Sequence, residues 1–177
     1  MRLVSLFRVF IPLVMLVAIS VAPKSANAAE VVGFSDARFR AGTIVIKNSE
    51  KRLYLVLGAN RAIRYKVAVG KRQKSWTGQA FITAKYVKPD WAPSDEVRRD
   101  FPHLPTVIRG GAPNNPMGVA AMTLSNGNYA IHGTNQISRL GQPASAGCVR
   151  LHPEHAAILF QKVRQVGLDN MKVVIHN

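Results

Sequence analysis

The apolar positions of this chain fall mostly into short runs with the period of strands. Residues 43–46 and 52–57 are β-branched or aromatic runs on either side of Lys47-Asn48-Ser49-Glu50-Lys51, which predicts a hairpin. Residues 62–69 alternate, with Ile63, Tyr65, Val67 and Val69 on one face and Arg64 and Lys66 on the other. Residues 79–87, 118–124 and 129–132 continue the pattern. The last two flank Ser125-Asn126-Gly127-Asn128, whose Asn-Gly is a strong hairpin signal. Residues 148–151 and 171–175 read as further strands. Between them the period changes, and Ala156, Leu159, Phe160, Val163 and Val166 form one stripe over residues 153–166. Pro153 suits the first turn of a helix there, Glu154 its positive end, and Gly167 its stop. The pattern predicts a mostly β domain with one late helix packed on the sheet.

Two stretches break this rhythm. Residues 29–42 read as a flexible polar lead-in. Residues 88–116 hold six of the ten prolines, together with Gly110-Gly111 and Asn114-Asn115, and so exclude a central strand or a long helix. Long proline-rich loops in a compact domain are often lids or binding walls, or plain structural excursions. Trp91, Phe101 and Leu104 are expected to tack this one to the core.

The amino-terminal apolar run is too short for a membrane span. Between Arg8 and Lys24 lie about 15 residues, broken by Pro12, where a bilayer needs about 20. Arg2 and Arg8 before it, and Ala26-Asn27-Ala28 after it, predict an export signal cleaved after Ala28. Residues 29–177 then make one domain, with about 21 basic and 9 acidic residues. That excess favours anionic partners. The charges are dispersed, with no basic run longer than a pair such as Lys71-Arg72, and aromatics are few, which argues against nucleic acid.

Export makes the solitary cysteine informative. Exported proteins usually pair their thiols, and Cys148 has no internal partner. It is either a buried small hydrophobe or a reactive group. Sixteen positions upstream stands His132, followed by Gly133. A thiol near its reference pKa is mostly protonated at neutral pH, so a nucleophilic cysteine needs a base, and an imidazole in reach supplies one. Gly147 permits a tight turn whose backbone N–H groups could receive an oxyanion. Arg150 is placed to orient the site or hold a carboxylate. Together these suit acyl transfer through a thioester. Singly, His132 reads as a strand-end histidine and Arg150 as a surface cation. Cys148, His152 and His155 also have a C-x3-H-x2-H spacing, but His152 reads as loop and His155 as first-turn surface.

Ile131-His132-Gly133-Thr134-Asn135, then Ser145-Ala146-Gly147-Cys148-Val149-Arg150-Leu151, closely resembles the signature of the L,D-transpeptidase catalytic domain of the YkuD type. The likeness runs from about residue 43 to 175. Arg52-Leu53-Tyr54 resembles the family's opening strand pair, and residues 65–71 its V-x-V-G-K segment. Lys88-Pro89-Asp90-Trp91-Ala92-Pro93 resembles its tryptophan-proline loop, and residues 110–118 its G-G-x-x-N-P-x-G turn. The resemblance implies a β-sandwich of mixed sheets with one C-terminal-side helix and the proline-rich loop over the site. It implies an exported, monomeric periplasmic enzyme that uses no metal or cofactor. Its partners would be peptidoglycan stem peptides, a donor tetrapeptide and an amine acceptor. By matching position, Cys148 would be the nucleophile and His132 the acid/base, oriented by the Gly133 carbonyl. Gly147, Ser145 and Arg150 would bind substrate or the oxyanion, with the N–H groups of Gly147 and Cys148 as donors. The family's cysteine is susceptible to carbapenems.

Two positions depart from the family's pattern. Ala146 stands where many members have histidine, and Trp76 stands in Ser75-Trp76-Thr77-Gly78 where the family has T-P-x-G. The acceptor stays open: a neighbouring stem's amine, water (a carboxypeptidase), or an envelope protein's amine. A non-catalytic wall-binding module with the same fold would keep the thiol inert.

Overall fold

Ile44, Val45 and Ile46 are all fully buried, so the strand they form needs apolar cover on both faces, and the fold supplies it. The computed structural model describes residues 29–127, 129–166 and 171–177. The expected export signal and its cleavage after Ala28 lie outside the described residues, as do Asn128, Gly167 and the side chain of Val166. Among the described residues there are ten strands: β1 (Glu30–Gly33), β2 (Ile44–Lys47), β3 (Arg52–Gly58), β4 (Arg61–Gly70), β5 (Gly78–Val87), β6 (Ala120–Leu124), β7 (Ala130–His132), β8 (Pro143–Ser145), β9 (Val149–Leu151) and β10 (Lys172–His176). Two α-helices join them, α1 (Asp95–Asp100) and α2 (Pro153–Val166).

The long strand β4 belongs to two neighbourhoods. Its first half lies between β1 and β3, while Val67 and Ala68 pair with β9. From β3 the order runs through β2, β10, β5, β6, β7 and β9, so the β4–β9 pairing closes the sheet on itself. Closure leaves those strands without a free edge. The β2–β10, β7–β9 and β4–β8 pairings are parallel. The architecture is the mixed β-sandwich that the family resemblance implies, closed by the β4–β9 pairing.

Its interior is filled by Ile44, Ile46, Leu53, Tyr65, Val67, Met122, Ile131 and Leu151, with Ala156, Leu159 and Val163 of α2 packed among them. The helical stripe and the apolar face of β4 are thus where their periodicities place them. The opposite face of the first strands, Val45, Tyr54, Val56 and Ala62, is covered by Val32, Phe34 and Phe39. Residues 29–42 are therefore not a loose lead-in. β1 adds to β4, and the Phe34 ring sits 5.4 Å from that of Tyr54. The physical reason is the second apolar face of β2 and β3, which must be covered by something.

The proline-rich stretch holds α1, capped by Ser94, whose hydroxyl accepts from the Val97 N–H. Its anchoring differs from expectation. Phe101 is 60% exposed, and Trp91 and Leu104 line a cavity rather than enter the core. The stretch is held by a two-way backbone bridge between Trp91 and buried Ile108, and by Asn115, only 1% exposed. The Asn115 Nδ2 donates to the carbonyls of Pro89, Ile108 and Arg109, and its Oδ1 accepts from the Met117 N–H.

Candidate active site

Side-chain alternation on β7 and β9 sends one set of residues inward and the other to a cleft. Ile131 and Val149 are register partners and both enter the core. Their neighbours must then point the other way. His132 is the register partner of Arg150, and Cys148 immediately precedes β9, two residues from that arginine. All three line an open cleft of about 1260 Å3. Trp91, Ala92, Glu96, Pro116 and Met117 of the proline-rich stretch form its opposite wall. The sequence-derived trio is thus brought together, with the loop beside it.

His132 is buried, and its Nδ1–H donates to the Gly133 carbonyl at 2.6 Å, the bond expected of that residue. This fixes the tautomer that leaves Nε2 free to accept a proton. Burial first, and the Arg150 charge second, push its pKa down to about 4, against the pull of the Gly133 and Met117 carbonyls. Burial also pushes the Cys148 thiol up, opposed by the Ala130 backbone and by Arg150. The resting pair at neutral pH is therefore a neutral thiol and a neutral imidazole. Among the described residues, no hydrogen bond joins them; they share the cleft.

The turn before Cys148 is braced from within. The Ser145 hydroxyl, almost fully buried, donates to the Cys148 carbonyl at 2.5 Å and accepts from the Gly147 N–H at 3.1 Å. Ser145 thus braces the turn's own backbone while it also lines the cleft. With the Gly147 N–H engaged by Ser145, the Cys148 N–H is left as the open donor of that turn. No acceptor for the Cys148 N–H is found among the described residues. Gly147 sits at φ +117, and a Cβ there would lie 2.2 Å from a ring atom of Tyr129, so glycine is required twice over. The Tyr129 ring is stacked on Trp76 at 5.2 Å and 14°, and the Trp76 Nε1–H donates to the Gly147 carbonyl at 3.2 Å.

Arg150 is held from one side. Its Nη1 donates to the Gln136 Oε1 at 3.2 Å, and Gln136 N–H bonds to the Thr134 hydroxyl at 3.0 Å. Its Nε is buried without a partner. Arg150 also lines a second cavity of about 330 Å3, between α1 and the end of β8, which shares lining residues with the cleft. A half-buried guanidinium held from one side by a neutral amide is suited to a carboxylate. Ala146, where a histidine is common in the family's pattern, lines both cavities.

The C-x3-H-x2-H spacing does not assemble. Among the described residues no three His, Cys, Asp or Glu side chains gather as a metal site requires. His155 is also not surface. It is buried with its ring 5.4 Å from that of Tyr65, and its Nε2 accepts from the Ala29 N–H at 3.2 Å. Sequence reasoning missed the roles of Asn115, Gln136 and Trp76. All three lay inside or beside recognised segments, but nothing in their spacing showed their partners.

The family model for the L,D-transpeptidase catalytic domain, YkuD, matches residues 41–175. The chain belongs to that family. It is 36% identical over 129 residues to "Probable L,D-transpeptidase YbiS" of Escherichia coli strain K12, spanning 68% of this chain and 41% of that protein. It thus spans about two fifths of that relative's length. Among solved structures, L,D-transpeptidase 3 from Mycobacterium tuberculosis, in complex with a faropenem-derived adduct, shares the fold at TM-score 0.59. The two are 14% identical, over 77% of this chain and 60% of that one. A Brucella melitensis protein described as a "Probable carnitine operon oxidoreductase caia" is 37% identical at TM-score 0.55, over 80% of this chain and 91% of its own. That description stays with that protein.

Proposed function

We propose that the chain is a peptidoglycan L,D-transpeptidase working in the bacterial envelope after export and cleavage at Ala28. Cys148 Sγ attacks the carbonyl carbon of the third residue of a tetrapeptide stem while His132 Nε2 takes the thiol proton. The C–N bond to the terminal D-alanine breaks, and His132 returns the proton to the leaving nitrogen. The thioester left on Cys148 is attacked by the amine of a neighbouring stem. That amine's proton passes through His132 to the departing sulfur, and a cross-link between two stems remains. Starting from a neutral pair, proton transfer accompanies attack rather than preceding it. The Arg150 guanidinium, half-buried at the cleft, receives a carboxylate of the stem.

One observation carries this reading: His132 and Arg150 of two paired strands, and Cys148 just before the second, line one cleft on the fold of a transpeptidase family. The test is to incubate the purified protein with a carbapenem and measure intact mass. One covalent adduct, mapped to Cys148, is expected. A folded protein that stays unmodified would defeat the reading. Products from tetrapeptide-rich peptidoglycan then name the acceptor. Cross-linked dimers mean a stem amine, tripeptide stems mean water, and stem-tagged protein means a protein amine.

A further inference from the structure

Trp76 lies outside the family's catalytic signature, in a turn where this chain departs from the family's T-P-x-G, and no step above uses it. Its indole is nevertheless tied to the nucleophile's backbone by two contacts. Nε1–H donates to the Gly147 carbonyl, and the ring face stacks on Tyr129, which in turn closes over Gly147 where any side chain would collide. Its own backbone is fixed too, since its carbonyl accepts from Asn48 Nδ2 at 3.0 Å.

The carbonyl that Trp76 holds and the Cys148 N–H are the two ends of one planar peptide group. Orienting one end orients the other. A hydrogen bond to the carbonyl also polarises the group and strengthens its N–H as a donor. The Ser145 bonds fix the peptides on either side, and leave this one to Trp76. Glycine at φ +117 offers little resistance to a flip of that plane.

We propose that Trp76 is a positioning residue for acyl transfer: its indole N–H holds the Gly147–Cys148 peptide so that the Cys148 N–H faces the oxyanion formed on attack. This rests on the transpeptidase reading above. It also answers why the turn tolerates a tryptophan in place of the family's proline.

The experiment compares two reactions of the same sulfur. Acylation by a carbapenem passes through an oxyanion, whereas alkylation by iodoacetamide displaces iodide and forms none. Rate constants for both are measured by intact mass on the native protein and on Trp76→Phe, which keeps the stack and loses the N–H. A direct oxyanion donor is worth about 10²–10³ in rate, and a donor left in place but free to turn costs less. Acylation should therefore fall about tenfold while alkylation stays within about twofold. Should Trp76→Phe fail to fold, benzothienylalanine placed at position 76 keeps the bicyclic shape and replaces N–H by sulfur, with the same expectation. Acylation within about twofold of native, or both reactions falling together, would overturn the proposal. A native protein that is alkylated but never acylated would overturn the transpeptidase reading itself, and this inference with it.

Discussion

His132 stands directly across from Arg150 in the parallel pairing of β7 and β9, so a buried imidazole faces a half-buried cation. Arg150 disfavours the imidazolium, adding to what burial already does. It favours a thiolate on Cys148, but there burial outweighs it. Burial, with Arg150 adding to it, thus keeps His132 unprotonated without creating an ion pair. The charge is also available to substrate, because the only side-chain acceptor described for it is the neutral Gln136.

The depressed pKa of His132 makes folding stability depend on pH. Its folded value, about 4, lies below its ordinary 6.5, so the unfolded chain binds more protons between those limits. The stabilising effect of the neutral ring is complete above about pH 6.5 and is lost as pH falls towards 4. The loss is on the order of 3 kcal/mol at most. His155, pushed down by burial and by His152, acts in the same direction. Denaturant titrations of the native protein and of His132→Gln between pH 7 and 4 check this. The variant should show a shallower slope, and equal slopes would exclude His132 as a source.

The thiol's raised pKa gives the opposite signature in reactivity. An activated cysteine ion-paired to histidine alkylates at a rate that levels off near or below neutrality. Cys148, protonated at rest, should react with iodoacetamide ever faster as pH rises, with no plateau below about 8.5. An inflection between pH 5 and 7 would mean that a thiolate–imidazolium pair exists in solution.

Strand periodicity made most of the sheet legible, because β4, β6 and β7 each present one face to the core. Where strands are buried on both faces it could not show what covers them. Residues 44–46 carry no alternation to read, so the cover they need from Phe34 and Phe39 could not be seen locally. The same limit applied to the site. Cys148 and His132 were readable as residue types that need each other, while Gly133 entered only through the family resemblance. Trp76 lies 71 positions from Gly147, and only closure of β4 onto β8 and β9 brings its turn there. The bonds between Ser145 and its own turn were not legible either, because sequence names donors without saying which are already engaged.

The amino-terminal cover has a measurable worth. Phe39 packs against the outer cluster and lies 5.8 Å, ring to ring, from His176. It is only partly buried, so Phe39→Ala should cost about 1–3 kcal/mol, less than a full core phenylalanine. Thermal or denaturant unfolding would show the loss, together with faster amide exchange in β1. An unchanged midpoint would mean that residues 29–42 do not contribute to the fold.

Asn115 offers the sharpest separation of cleft architecture from chemistry. Its two Nδ2 hydrogens are shared among the carbonyls of Pro89, Ile108 and Arg109, while its Oδ1 holds the Met117 N–H three residues before the chain reaches β6. In Asn115→Asp the shape and the acceptor survive, but an oxygen then faces three carbonyls with no hydrogen between them. Leaving buried polar groups unsatisfied costs about 1–3 kcal/mol each at the outset, so a loss of roughly 3 kcal/mol is expected from either Asp or Ala. Because Pro116 and Met117 wall the cleft, KM for a peptidoglycan donor should rise more than kcat falls. Unfolding midpoints and steady-state kinetics of the two variants provide the check. If Asn115→Asp matched the native protein in stability, the side chain would have to be turned the other way. Its donors would then not be what ties the 88–116 stretch to the wall of the site.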